Sequence, residues 1–141
     1  MTSTIEQKID RFLQSPAFGV AGASTDREKF GNRVLRAYVE NGMHAIPVNP
    51  RERSIEGIPC VASVSELPAE AQSLSIITPP PVTETVVKQA IERGIRSVWM
   101  QPGAESDAAI EMAERAGLDV IADGSCVLVV LRNRPKVPVL R

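Results

Sequence analysis

Histidine is nearly missing from this chain, and cysteine is scarce: His44 stands alone, with only Cys60 and Cys126, in 141 residues. The two cysteines lie far apart, with no Cys or His beside either, so the ligand set of a zinc site is lacking. A Ser-His or Cys-His relay could draw on His44 only. Net charge is lacking too: the formal value of −1 supplies no overall attraction for nucleic acid. No apolar run approaches the ~20 residues that span a membrane. The first residues carry Glu6, Lys8, Asp10 and Arg11 and no apolar core, so no signal peptide is expected. A reduced, cytoplasmic protein is the economical reading.

The chain does have enough apolar residues for a core of its own. At 43% hydrophobic and 23% charged, residues 1–141 fit one domain. Residues 4–14 place Ile5, Ile9, Phe12 and Leu13 on one helical face, and Ser15-Pro16 ends that helix. AFGVAGA (17–23) reads as a buried strand, followed by a helix from about Glu28 to Glu40 that stops at Asn41-Gly42. MHAIPV is a second strand, LSIIT (74–78) a third, IRSVWM (95–100) a fourth and LDVIA (118–122) a fifth. Helices are expected over 82–94 and 105–117, each ending at a glycine. Residues 51–70 break the rhythm, and Ile55, Ile58 and Val61 suggest a segment lying against the sheet edge. RNRPKVPVLR (132–141), with two prolines, reads as an extended tail. Apolar strands alternating with helices predict an α/β, Rossmann-like, doubly wound and mainly parallel five-stranded sheet with helices on both faces. The first helix and the tail, which such a sheet does not require, are candidate surfaces for a homo-oligomer or a protein partner.

In an open parallel sheet, ligands bind beyond the carboxyl ends of the strands. The first strand here ends at Gly22-Ala23-Ser24, where glycine lets backbone approach a ligand and the next helix offers N–H groups to an anion. Gly19-x-x-Gly22-x-Ser24 is not the dinucleotide pattern G-x-G-x-x-G, and the loop to Gly31 is longer and more charged, with Arg27 and Lys29. The second strand ends VNPR, with no acidic residue for a ribose 2′-hydroxyl. Asn49, Pro50 and Arg51 better suit a nucleotide that carries a phosphate on its ribose.

VAGAS…KFGNRV, IPVNPR, IEGIPCVASVSEL, IITPPP, WMQPGAES and AGLDVIADGSC follow one another over residues 16–126. That order resembles the small stand-alone CoA-binding proteins and the CoA-binding domain of the succinyl-CoA synthetase α subunit. The resemblance implies a domain that binds coenzyme A, or an acyl-CoA, as a small-molecule nucleotide ligand across its strand ends. It places Gly22, Ala23 and Ser24 at the pyrophosphate or the adjacent ribose, with Lys29 nearby. It places Asn49, Pro50 and Arg51 beside the adenosine, with Arg51 or Arg53 near the 3′-phosphate. Thr78, Pro79 and Pro80 would wall the adenine or pantetheine, and Gln101, Pro102 and Gly103 would face the pantetheine arm. Prolines make rigid apolar walls and guanidinium groups chelate phosphates.

The pattern departs from the family in two places. Single-domain relatives show Asp-x-Cys after the last strand, whereas Asp123-Gly124-Ser125-Cys126 has one residue more. The phosphohistidine part of the synthetase subunit has no counterpart, and His44 belongs to the start of a strand, so ligase chemistry is not implied. Plainer readings stand beside the functional ones. Gly22 and Ser24 could shape a tight turn, and Asn49-Pro50 is turn chemistry in any case. Pro79–Pro81 could start a helix, and Arg27 and Lys29 could be solvated loop charges. Trp99 and Phe30 read as core, and Cys126 as a small core hydrophobe, with a disulfide to the CoA thiol as its sharper alternative. The expected function is CoA binding without catalysis by the domain alone. The alternatives are an enzyme on a CoA thioester, using Asp123, Cys126 or Lys29, and an NAD(P)-binding redox sensor.

Overall fold

The chain runs α1 (Ile5–Leu13), β1 (Ala17–Ala21), α2 (Phe30–Glu40), β2 (Ala45–Val48), β3 (Ser54–Ile55), β4 (Ile58–Pro59) and a 3-10 turn (Val64–Glu66). It continues with β5 (Ala71–Ile76), α3 (Pro80–Arg93), β6 (Ser97–Met100), α4 (Asp107–Arg115), β7 (Asp119–Ile121) and α5 (Val127–Asn133). This is a computed structural model, and the structure describes residues 3–134. Five strands pair in parallel in the order β2-β1-β5-β6-β7, while β3 and β4 form a separate antiparallel hairpin. All five residues of β1 and all four of β6 are buried, as expected for strands covered on both faces. The α/β, doubly wound reading therefore holds, with a wholly parallel main sheet.

Two cores flank the sheet. Val86, Val87 and Ala90 of α3 and Ala109 and Ala113 of α4 cover one face with Val64 and Leu67. On the other, α1, α2 and α5 bring Ile9, Phe12, Val34, Leu35, Tyr38, Val127 and Leu131 onto Phe18, Trp99 and Ile121. Trp99 is core as read, and Phe30 packs at the edge of this cluster, half-buried. The Phe12 ring lies 5.6 Å from Phe18 and 5.2 Å, edge-on, from Trp99, and Phe18 stacks on Tyr38 at 4.9 Å. The buried Tyr38 hydroxyl meets Ser75 Oγ at 2.5 Å. Burial holds the Tyr38 phenol above its ordinary pKa, with the Ser75 bond opposing in part.

The first helix differs from its reading as a spare surface. Thr4 and Gln7 close a capping box at its start, and its apolar face is spent on the chain's own sheet. Ser73 Oγ donates to the Phe12 carbonyl, 2.7 Å, which satisfies one of the helix's terminal acceptors. Three other boundaries shift. β5 starts at Ala71, earlier than the third strand was expected, and stops before Ile77-Thr78. α3 starts at Pro80, where proline's fixed φ and missing N–H cost nothing. α5 was not anticipated: VLVVLRN has little helical signature, but burial of Val127 and Leu131, one turn apart, overrides propensity. The expected tail from Arg132 therefore begins inside α5; Arg134 is extended, with φ −83° and ψ 143°, and residues 135–141 lie outside those described.

Replacing Phe12 by alanine removes the ring that joins Phe18 to Trp99, and a loss of about 3–5 kcal/mol in urea unfolding is expected. A loss below ~1 kcal/mol would mean that α1 is not part of the core.

Candidate functional site at the carboxyl ends of the strands

From β1 the chain first adds β2 on one side and later β5 on the other, so the sheet order reverses at β1. The crevice of an open α/β sheet lies at such a point. Backbone packing there is unusually close. Gly22 has φ +95°, and a Cβ on it would meet the Ile77 carbonyl, 2.8 Å from the carbonyl carbon and closer still to the oxygen. Ile77 N donates to Ala21 O at 2.8 Å, extending the β1–β5 ladder into the turn. Gly31, in the first turn of α2, approaches from the other side. A Cβ there would strike the Gly22 carbonyl oxygen and lie 2.9 Å from its carbon. Lys29 is the N-cap of α2 and makes no side-chain cap bond, so the first turn of the helix has no side-chain oxygen on its N–H groups.

Ser24 Oγ accepts from Asp26 N at 3.1 Å, and the Ser24 carbonyl accepts from Asn32 Nδ2 at 2.9 Å. Asn32, fully buried in α2, also donates to Glu56 Oε2 at 3.1 Å and accepts from Arg36 Nε at 2.7 Å. Asn49 ties the end of β2 to the same turn, its Nδ2 donating to the Ala23 carbonyl at 3.0 Å. Its Oδ1 accepts from the backbone N–H of Arg51 (2.8 Å) and Glu52 (3.1 Å), which fixes the loop after β2. Pro50, Arg51 and Arg53 are exposed in that loop, and Arg27 and Lys29 are exposed in the loop after β1.

The hairpin after this loop turns at Glu56-Gly57, with φ of 53° and 75°. Positive φ at both central residues makes a type I′ turn. Ile55 is buried, Ile58 and Val61 are half-buried, and Val61 bridges in parallel to Val48, so the segment does lie against the sheet edge. Cys60, beside it, has its thiol pKa pushed up, first by burial and then by the Glu52 carboxylate.

Beyond β5, Thr78 Oγ1 meets Thr83 Oγ1 at 2.7 Å, Pro79 is the N-cap of α3 and Pro80 its first residue. Pro79 and Pro80 are exposed rigid residues next to the Gly22–Ile77 contact. After β6, Gln101 N donates to Ile76 O at 3.0 Å, which places this turn beside β5. Gly103, with φ +95°, lets Ala104 N reach Gln101 O at 2.9 Å in a Pro-Gly type II turn. The Gln101 side chain is fully buried: Oε1 accepts from Val127 N at 2.9 Å, and Nε2 has no partner among the described residues. The amide thus holds the start of α5, while Pro102 and Gly103 are the exposed part of the turn.

The bonds Ile77–Ala21, Asn49–Ala23 and Gln101–Ile76 thus bring the turns after β1, β2, β5 and β6 together. Arg51, Arg53 and Lys29 stand on the loops that these bonds anchor. Sequence reasoning missed Asn32 and Glu56, whose signals were an asparagine inside KFGN and a Glu-Gly pair between two isoleucines. Asp123 is exposed, and Cys126 is half-buried as the N-cap of α5. His44 is exposed just before β2, at the opposite end of the strand from this crevice. A separate groove of about 360 Å³ lies between α2 and α5, lined by Arg33, Arg36, Ala37, Leu128, Leu131 and Arg132 among others. Of its lining residues, Arg36 also bonds Asn32, which holds the Ser24 carbonyl.

These features define a Rossmann-like α/β domain whose strand-end turns meet at its switch point. Residues 17–132 match the CoA binding domain family, and the chain belongs to that family. The α subunit of acetate–CoA ligase (ADP-forming) II from Pyrococcus furiosus is 27% identical over 130 residues, covering 84% of this chain and 28% of the subunit. The chain thus spans less than a third of that relative's length. A solved P. furiosus hypothetical protein is 37% identical with a TM-score of 0.78, over 81% of this chain and 97% of that one. A hypothetical protein from Pyrococcus horikoshii OT3 is 28% identical with a TM-score of 0.83, over 90% and 89% of the two chains. The resemblance read from the ordered motifs is therefore borne out at the level of family and fold. No helix among the described residues is long and apolar enough to cross a membrane.

Gly31→Ala forces its Cβ into the Gly22 carbonyl, and backbone cannot rotate away as a side chain can. A loss of at least ~2 kcal/mol in urea unfolding is expected. An unchanged midpoint would mean that the turn and α2 are not in contact.

Proposed function

We propose that this domain binds coenzyme A, or an acyl-CoA, at the carboxyl ends of its strands, and that by itself it holds the ligand without transforming it. The observation that carries this reading is the coincidence of the CoA binding domain match with a switch point where close glycine packing brings the uncapped start of α2 to the end of β1. Gly22–Ser24 and the start of α2 receive the pyrophosphate, with Lys29 as a nearby counter-charge. Asn49 fixes the loop on which Pro50 borders the adenosine and Arg51 or Arg53 meets the 3′-phosphate. Thr78, Pro79 and Pro80 form the wall beside the adenine or pantetheine. Pro102 and Gly103, backed by buried Gln101, line the course of the pantetheine arm. Free Cys60 and Cys126 accord with a reducing, cytoplasmic setting. The similarity to an acetate–CoA ligase α subunit over 84% of this chain supports the same ligand class.

Calorimetry with coenzyme A, dephospho-CoA and NAD tests the reading. Coenzyme A is expected to bind most tightly, dephospho-CoA more weakly and NAD weakest. The double variant Arg51→Ala/Arg53→Ala is expected to lose about tenfold in coenzyme A affinity, or ~1.4 kcal/mol, and almost none for dephospho-CoA. No heat from coenzyme A at millimolar concentration would sink the proposal. Equal affinity for dephospho-CoA would remove Arg51 and Arg53 from it.

A further inference from the structure

Glu56 is the one non-glycine residue with positive φ among the described residues, at 53°. The first central position of a type I′ turn suits asparagine, aspartate or glycine, and glutamate gains nothing there from a local side-chain bond. A residue kept in an unfavourable backbone region invites the question of what its side chain does.

The Glu56 carboxylate reaches across to the loop after β1 and to α2. Oε2 accepts from Asn32 Nδ2 at 3.1 Å and lies 3.5 Å from Arg27 Nε. Arg36 closes a ring, its Nε donating to Asn32 Oδ1 at 2.7 Å and its Nη2 to the Arg27 carbonyl at 2.9 Å. The same Asn32 amide holds the Ser24 carbonyl. One side chain therefore fastens the β3–β4 hairpin to the turn that follows β1. Arg53 stands at the base of that hairpin, its carbonyl accepting from Cys60 N at 2.9 Å. The charge matters as well as the reach. Arg27, Lys29, Arg51 and Arg53 stand on two neighbouring loops that also carry Asp26, Glu28 and Glu52, and Glu56 is the carboxylate bonded into the ring that joins those loops. Arg27 keeps 65% of its side chain exposed while its Nε stays near Glu56, so it remains available to an incoming anion.

We infer that Glu56 is a positioning residue, resting on the coenzyme A reading above: through Asn32 and Arg27 it locks the Arg51–Arg53 loop to the Ser24 turn and so sets discrimination for the ribose 3′-phosphate. Fixing the backbone that carries the guanidinium groups before the ligand arrives removes part of the ordering cost of binding. Without the tether Arg51 would still be held by Asn49, but Arg53, at the base of the hairpin, would lose its second anchor to the pyrophosphate turn.

Glu56→Gly separates this role from stability, because glycine takes the same φ without strain while the carboxylate is lost. The variant is expected to melt no lower than the parent. Its coenzyme A affinity is expected to fall about fivefold to tenfold, with a smaller loss for dephospho-CoA, so that the ratio between the two ligands drops about threefold. Glu56→Gln keeps an acceptor for Asn32 without the charge and should fall between the two. Unchanged affinity and an unchanged ratio in Glu56→Gly would overturn the inference and leave the coenzyme A reading standing. Equal losses for both ligands, with a lower melting temperature, would reduce Glu56 to a fold residue and also overturn it. If the parent itself fails to bind coenzyme A, the functional reading falls instead, and the tether is judged by amide exchange at Cys60. Faster exchange there in Glu56→Gly supports the tether, and unchanged exchange refutes it.

Discussion

The rest of the structure depends on the contact of three backbone segments at the end of β1. Gly22, Ile77 and Gly31 meet with no side chain between them, at distances that a single Cβ would violate. Two elements that bear on a ligand are set by this contact. It brings the start of α2 to the β1–β5 crevice, and it carries the β5 exit, with Thr78 and Pro79, alongside the first turn. A bulkier residue at either glycine would push the helix away, and the crevice would lose the N–H groups that make it suited to a phosphate.

Around that contact the polar groups are arranged to fix loops. Asn49 and Asn32 each join a carbonyl of the first turn to a second element, and both do so with side-chain amides whose donors are used inside the protein. The cations are left at the rim. Arg51, Arg53 and Lys29 are exposed and stand on loops that the amides have already anchored. Anchored loops with exposed charged tips bind phosphates at a small ordering cost, because only side-chain rotamers remain to be fixed. The aromatic cluster on the α1–α2–α5 face plays a supporting part. Tyr38 holds α2 to β5 through Ser75, so the helix that opens the crevice is pinned at its other end.

How much of this the sequence disclosed depends on which physical signal was at stake. β1, β2 and β6 are short runs buried on both faces, β7 is buried at Val120 and Ile121, and their positions could be read with small errors at the ends. β5 was harder, because Ser73 and Ser75 look like solvent-facing residues. Both are buried and bonded, one to the Phe12 carbonyl and the other to Tyr38, and no local pattern reveals such partners. α5 was hidden by valines that favour strands, and only tertiary burial and the Gln101 cap turn them into a helix. At the site, glycines and prolines were legible because backbone constraints leave their mark on residue type. Asn32 and Glu56 were not, since their importance comes from one another across sequence, and the glutamate occupies a turn position better suited to other residues.

The central claim is that the ligand lies in the crevice at the β1–β5 switch, gripped by the turns after β1, β2 and β5. Amide chemical-shift mapping by NMR during a coenzyme A titration tests it most directly. The account predicts saturable shifts concentrated at Gly22, Ala23, Ser24, Asn49, Ile77 and Thr78, with the α2–α5 groove near Leu128 and Leu131 unmoved. Saturable shifts centred on that groove, with the turns at the strand ends silent, would contradict it.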